Sequence, residues 1–425
     1  MKDQLLKIAQ FIQKNTQADD YELFVYSNET QNTRFAQNSV TQHITGNYIE
    51  VTYRCVIDQK IGVVSTRQIN HENLLFTIQQ AEEIARNNSP DQYASLSMPK
   101  ESFKKVNNFY SSVEKLDTAQ MIATIKKCIH FAETKKANLS GILSKYINHQ
   151  VFLTKNGFQG YSCNTEAEIS MTLSKDHIET NVSLSNTDFN KINIDHILMQ
   201  LGEQFDSLTI IKEMDYETIP VILRPLAVYQ LFSYLYWLFD RKNADEGLTP
   251  FTDKINKVVF GKKFSFLSSM EDQDLLLNAF SSNNVSQTTQ WIKEGKILHM
   301  PTDKYWAQKN KLQPSQIFNF IIEGEGISEI NMMKKVKRGL IINNLWYIRL
   351  NDLKTADLTG MTRDGVMYFE NGKIQNAVNN FRFNEQLHEI TKRIIATGKC
   401  VQIDSKVKVP SILIDKFHFV DKTSF

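Results

Sequence analysis

Residues 220–239 read PVILRPLAVYQLFSYLYWLF, and this stretch divides the chain. Val221–Leu223 is a short β-branched strand that stops at Arg224-Pro225. Proline suits the first turn of a helix, where its missing N–H costs nothing and its φ is already helical. From Leu226 to Phe239 the chain is apolar on nearly every side of a helix. That run of about 14 residues falls short of the roughly 20 that cross a bilayer, so it reads as a buried helix. Two compatible roles suit it: a core helix, or a helix at a subunit interface where Tyr234, Trp237 and Phe239 supply aromatic contacts.

Downstream of this helix short strands dominate. They fall at Lys257–Phe260, Gln290–Ile292, Ile297–His299, Ile317–Ile322, Leu340–Arg349, Val366–Glu370 and Lys373–Asn376, with turns at Glu294-Gly295 and Asn371-Gly372. A late helix is expected over 384–396 behind an Asn384 cap, then a terminal strand at Ser411–Phe419.

Upstream, an amphipathic first helix precedes strands at Tyr21–Tyr26 and Arg34–Ala36 around a polar turn, Asn28–Asn32. Tyr48–Val56 and Ile61–Ser65 pair through Asp58-Gln59-Lys60, and residues 72–86 return to helical spacing. Asp117 caps a helix through Phe131, and Leu143–Thr154 turns at Lys155-Asn156-Gly157 into Phe158–Cys163. Ile169–Leu173, Val182–Leu184 and a helix over 193–206 complete this half. The expected fold is α+β with two domains, at 1–210 and 216–425. No repeat of 20–50 residues is visible.

A chain of 425 residues suits two or three domains at about 100–200 residues each. Lys+Arg 49 against Asp+Glu 47 leaves no field to favour a nucleic-acid or membrane partner. Four separated cysteines without a CxxC pair predict no disulfide framework and a cytoplasmic home. The first helix carries lysines where a secretory signal is apolar.

Sequence-local chemistry is sparse. His71-Glu72 and His388-Glu389 open like a helical zinc motif, but Leu75, Phe76, Lys392 and Arg393 stand where a second imidazole must follow. His130, His149, His177, His196, His299 and His418 show no ligand spacing, and Cys400 is one thiolate without partners. Lys334, Lys335, Lys337 and Arg338 form a basic run, read as a solvated loop or an anion patch. Asp352–Asp364 reads as a loop punctuated by Gly360 and Gly365. Thr362, Arg363 and Asp364 there suit carboxylate recognition, or a turn stapled by its own side chains.

In order, these segments resemble the TldD/PmbA family, modulators of DNA gyrase regarded as two-subunit zinc metallopeptidases. The likeness runs through RFAQNSVTQHITGNYIEVTYRCVIDQKIGVVST at Arg34–Thr66, with its Gly62-Val63-Val64-Ser65-Thr66 ending. Further matches are Leu358-Thr359-Gly360-Met361-Thr362-Arg363-Asp364-Gly365, Glu370-Asn371-Gly372-Lys373-Ile374 and Asn380-Phe381-Arg382-Phe383-Asn384. The resemblance implies a barrel-like, β-rich C-terminal domain. It also implies His-Glu-x-x-x-His on the helix after Val221-Ile222-Leu223, at positions held here by Ser233, Tyr234 and Leu238. The family's third ligand, a late cysteine, has only Cys400 as counterpart, and the small-residue stretch after Tyr305-Trp306 is shortened.

Zinc hydrolysis needs three protein ligands, an activated water and a carboxylate base. The expectation is therefore a non-catalytic, PmbA (TldE)-like subunit that binds no cofactor itself. Zinc would lie in a TldD-like partner, as a heterodimer, with a homodimer as the other arrangement. The pair would cleave flexible or unfolded peptides, with no nucleic acid and no membrane involved. Two alternatives stay open: a self-sufficient peptidase with an unrecognised site, and a peptide-binding scaffold with no peptidase role.

Overall fold

The computed structural model describes residues 1–94, 97–176, 178–208 and 211–423. The N-terminal half is one antiparallel sheet with helices on a single face. Its elements are α1 (Lys2–Asn15), β1 (Asp20–Ala36), β2 (Ser39–Ile57), β3 (Lys60–Thr66) and α2 (His71–Asn87), then α3 (Thr118–Thr134), β4 (Asn138–Thr154), β5 (Gln159–Lys175), β6 (Ile178–Asn186) and α4 (Ile194–Ser207). Strand order is β3-β2-β1-β4-β5-β6.

This order reads the same from either edge, and the two central strands run antiparallel. The half is thus an α-β-β-β-α unit used twice about an approximate twofold axis. The unit is longer than the 20–50-residue period at which repeats show in sequence. Register centres the axis on Asn28 and Glu29, which face Asn148 and Ile147.

Alternation fixes the buried face. Tyr21, Leu23 and Val25 of β1 pack with Leu5, Ile8, Leu74 and Ile78 under α1 and α2. At the other end Phe35 packs with Met121, Ile125, Leu201 and Phe205 under α3 and α4. Asn28–Asn32 is therefore not the expected turn but the middle of β1. The reversal comes at Gln37-Asn38, both left-handed (φ 50° and 58°). The polar run misled because β1 serves two cores and neither reaches its centre.

The C-terminal half contains a closed five-stranded barrel. Its strands are β7 (Thr218–Leu223), β8 (Arg338–Asp352), β9 (Asp357–Glu370), β10 (Asn380–Gln386) and β11 (Ile412–Thr423), with α5 (Pro225–Phe232) following β7. β8 pairs with β7, β7 with β11, β11 with β10, β10 with β9, and β9 back with β8. Beside it lies a six-stranded sheet, in the order Lys296–Ile297, Thr289–Lys293, Phe266–Ser268, Phe320–Ile322, Val407–Val409, Val401–Asp404. Ile219, Val221 and Leu223 face the large core shared with Phe266, Trp291 and Phe320, while Ile222 packs oppositely against Met332 and Met333. The expected α+β class with a barrel-bearing C-terminal half is what the chain forms.

Several local expectations need correction. Helix 226–239 breaks after Phe232 and resumes as Leu235–Leu238. The loop at 352–365 is mostly β9, turning only around residues 353–356. The expected helix over 384–396 divides into the end of β10, a short helix Leu387–Thr391 and a strand Ile394–Thr397. Lys257–Phe260 makes one bridge, Val258 with Lys296, and is no strand. The expected boundary at residue 210 lies outside the described residues.

Candidate functional site

The segment after β7 is fastened at its start. The Arg224 backbone N–H donates to Ile342 C=O at 2.9 Å, and its guanidinium grips Glu329 through two bonds of 2.8 Å and Asn343 through a third. Six residues on, Gln230 donates to Asn344 Oδ1 (2.5 Å) and accepts from the Leu345 N–H (2.8 Å), clamping α5 to β8. Ala227, Val228, Leu231 and Phe232 fill the large core. At Ser233 the side-chain hydroxyl donates to Gln230 C=O at 3.0 Å, ending the helix.

The three positions where the family resemblance sets metal ligands and base are structural here. Ser233 caps the helix. The Tyr234 hydroxyl donates to Ile348 C=O at 2.5 Å, and burial raises its pKa, so it stays a neutral phenol. Leu238 is completely buried. Cys400 points its thiol at Ile322 C=O (3.0 Å), and burial pushes its pKa up, away from a thiolate ligand. These residues do not fit a zinc ion. Among the described residues no group of three His, Cys, Asp or Glu side chains is placed to hold one.

Four of the histidines are engaged elsewhere. His43 bridges Thr33 (2.8 Å) and Thr118 (3.2 Å), His71 stacks on Phe11, His149 meets the Tyr161 hydroxyl (2.9 Å), and His418 lies 3.0 Å from Glu385. His177 lies outside the described residues.

The aromatic residues expected at an interface separate. Phe239 is fully buried in the core and Tyr234 is tied to β8, whereas Trp237 is 74% exposed. Buried neighbours hold one face of this short helix, so its tryptophan is left on the surface.

The Thr362-Arg363-Asp364 triplet also divides. Thr362 is buried; its hydroxyl meets Asn380 Oδ1 at 3.1 Å and accepts from the Phe381 N–H at 2.9 Å, tying β9 to β10. Asp364, in the left-handed region (φ 57°), accepts from the Asn344 side-chain amide, and burial raises its pKa. Arg363 lies over the Trp346 ring, 4.0 Å from its centroid, and reaches Asp364 (3.3 Å) and Glu179 of β6 (3.4 Å). Tyr347 packs beside Trp346 with its ring tilted at 56°, half exposed and itself left-handed (φ 48°). A register shift between Trp346 and Arg349 accompanies this twist and turns both rings outward. The result is an exposed aromatic–guanidinium ledge joining β8, β9 and the N-terminal sheet. Sequence flagged its arginine and missed its rings, because Trp346 and Tyr347 read there as ordinary strand residues.

Residues 216–421 match the family model described as PmbA/TldA metallopeptidase C-terminal domain. The fold is that of TldE from Thermococcus kodakarensis, at TM-score 0.87 and 15% identity over 99% of each chain. A candidate modulator of DNA gyrase from Bacteroides thetaiotaomicron matches at TM-score 0.87 and 14% identity, covering 99% of this chain and 98% of that one. Another, from Thermotoga maritima, matches at 0.85 and 15% over 99% of each. No curated protein sequence matches the chain.

Proposed function

The chain belongs to the TldD/PmbA family through its C-terminal half, and from that premise we propose that it is the non-catalytic, TldE-like subunit of a two-subunit zinc peptidase. The observation that carries this reading is the segment after β7. Its motif positions hold a helix-capping serine, a tyrosine bonded to backbone and a buried leucine, where zinc hydrolysis needs two imidazoles and a carboxylate. A TldD-like partner would bring the metal and the base.

This chain would supply one wall of the cleft, acting as a body with domains at 1–210 and 216–425. Exposed Trp237 is our partner contact, since a protruding indole is a typical interface anchor. The ledge at Arg363, Trp346 and Tyr347 is our peptide contact: rings take apolar side chains and the guanidinium takes carboxylates.

The test uses the full chain, purified alone and then mixed with a zinc-bearing family member from the same cell. Alone it should carry no stoichiometric zinc by mass spectrometry and leave an unstructured peptide intact; mixed, cleavage should appear. Stoichiometric zinc with cleavage by the chain alone would overturn the proposal. Cleavage by the partner at the same rate with or without this chain would overturn it equally.

A further inference from the structure

The centre of the N-terminal sheet holds a cleft of about 670 Å³ that the subunit role does not use. It opens on the helix-covered face, over the mid-strand residues that neither hydrophobic cluster reaches. Strand register shows what faces it. Gln31 lies opposite Lys145, Glu29 opposite Ile147, and Ser27 opposite His149. Directly opposed residues share a face, and diagonal neighbours lie roughly 7–8 Å apart. A carboxylate, Glu29, and an ammonium, Lys145, therefore share one wall as diagonal neighbours.

Those two charges act on each other through space but make no direct contact. Among the described residues no ion pair joins them. Instead Lys145, only 7% exposed, donates to the backbone carbonyls of Glu114 (3.1 Å) and Leu116 (2.6 Å). An ammonium has three N–H donors, so one remains. Gln31 also lines the cleft, its Oε1 buried and without a donor. An unsatisfied buried acceptor is costly, and a ligand N–H would relieve it. Phe109 and His149, its ring held by the Tyr161 hydroxyl, form the adjoining wall.

The cleft thus offers a buried cation, an exposed carboxylate one diagonal step away and an orphan acceptor, with Met1 and Glu114 also on its lining. We propose that this cleft binds a small zwitterion of the α-amino acid or dipeptide class. The ligand carboxylate would meet Lys145, its ammonium Glu29, and an N–H would meet Gln31. Burial lowers the pKa of Lys145, and a carboxylate beside it would favour the charged form again. The inference does not rest on the subunit reading, because the cleft is lined by the N-terminal half alone.

The experiment is calorimetric titration of the full chain, by itself, with alanyl-glutamine and with free glutamine. At least one should bind saturably; which one separates peptide from amino acid. N-acetyl and C-terminal amide forms of the bound probe should each bind about tenfold more weakly or worse, the scale of one charge-assisted hydrogen bond. Glu29 is exposed, so Glu29→Gln leaves the fold intact and should weaken the zwitterion by a similar factor. Gln31→Met should weaken it as well and serves as the second variant. The proposal is overturned if neither probe binds, if capped forms bind as well as uncapped ones, or if Glu29→Gln binds like the parent. None of those results touches zinc content or partner-dependent cleavage, so the two readings fail separately.

Discussion

A β-carbon on Gly62 would overlap the carbonyl oxygen of Ala81 and stand 2.8 Å from the amide nitrogen of Ala85. Strand β3 and helix α2 therefore touch backbone to backbone, and only hydrogen fits between them. This gives a physical reason for the glycine that opens Gly62-Val63-Val64-Ser65-Thr66. Because the obstructing atoms are backbone, they cannot swing aside as a flexible side chain would. Gly62→Ala should therefore destabilise the chain by about 1–3 kcal/mol or more through overpacking. Urea unfolding followed by far-UV circular dichroism should show a lower midpoint with an unchanged slope. A midpoint equal to that of the parent would mean the helix rides freely on the strand. At this scale the sequence marks the position as special, yet the partner surface lies in an element that the spacing does not specify.

At the scale of elements, legibility followed the range of the determining forces. The turns at Asp58-Gln59, Glu294-Gly295 and Asn371-Gly372 were read correctly, and each pair adopts positive φ. Asp117 is the expected N-cap, and the structure adds a capping box with Gln120. Such features depend on a few neighbouring residues. The break at Ser233 does not, because Gln230 and Tyr234 are fastened to β8, more than a hundred residues onward. Likewise Leu387 and Ile390 keep helical spacing although only Leu387–Thr391 is helical, since Ile394–Thr397 is drawn into pairing with β11. The break bears on the site directly. Five residues separate the motif's two imidazole positions, about 140° apart on a regular helix, so they share a face only through a local distortion. Here the ladder does stop between Phe232 and Leu235, but it leaves Leu238 packed in the large core. Ser233→His with Tyr234→Glu and Leu238→His should therefore not restore a metal site. Replacing fully buried Leu238 creates an unsatisfied polar group in the core, and losing the tyrosine hydroxyl frees a bound carbonyl. The triple variant should lose about 2–5 kcal/mol of stability and carry no stoichiometric zinc. Tight zinc with a parental melting curve would show that the element can be rebuilt by ligand residues alone.

For the whole molecule, the question is whether two halves with separate cores act as one body. Their contact is polar and buried as well as apolar. Phe280 packs on Phe103 and Phe158, and Asn108 exchanges two hydrogen bonds with Leu277. The Ser405 N–H reaches Ser185, while Lys304 of the C-terminal half meets Glu22 of β1. That last pair is charged: Glu22 is almost inaccessible, and burial draws the Lys304 pKa down despite the carboxylate beside it. Arg54, 3.8 Å from Glu22, has a buried guanidinium nitrogen without a hydrogen-bond partner, so it offsets part of any loss. Lys304→Met strands the carboxylate and should cost about 2–4 kcal/mol, somewhat under the full cost of breaking a buried pair. Adding Glu22→Gln removes the stranded charge and should recover most of that loss. The loss also has a direction. All four tryptophans, Trp237, Trp291, Trp306 and Trp346, lie in the C-terminal half, so their fluorescence follows that half while circular dichroism follows both. In the parent chain the two signals should change together in urea. In Lys304→Met they should separate, with the N-terminal sheet losing its partner first. Coincident curves at the parental midpoint would mean that Phe280 and Asn108 hold the halves together without the ion pair. Coincident curves at a lower midpoint would mean that the pair stabilises a single cooperative body rather than a joint between two.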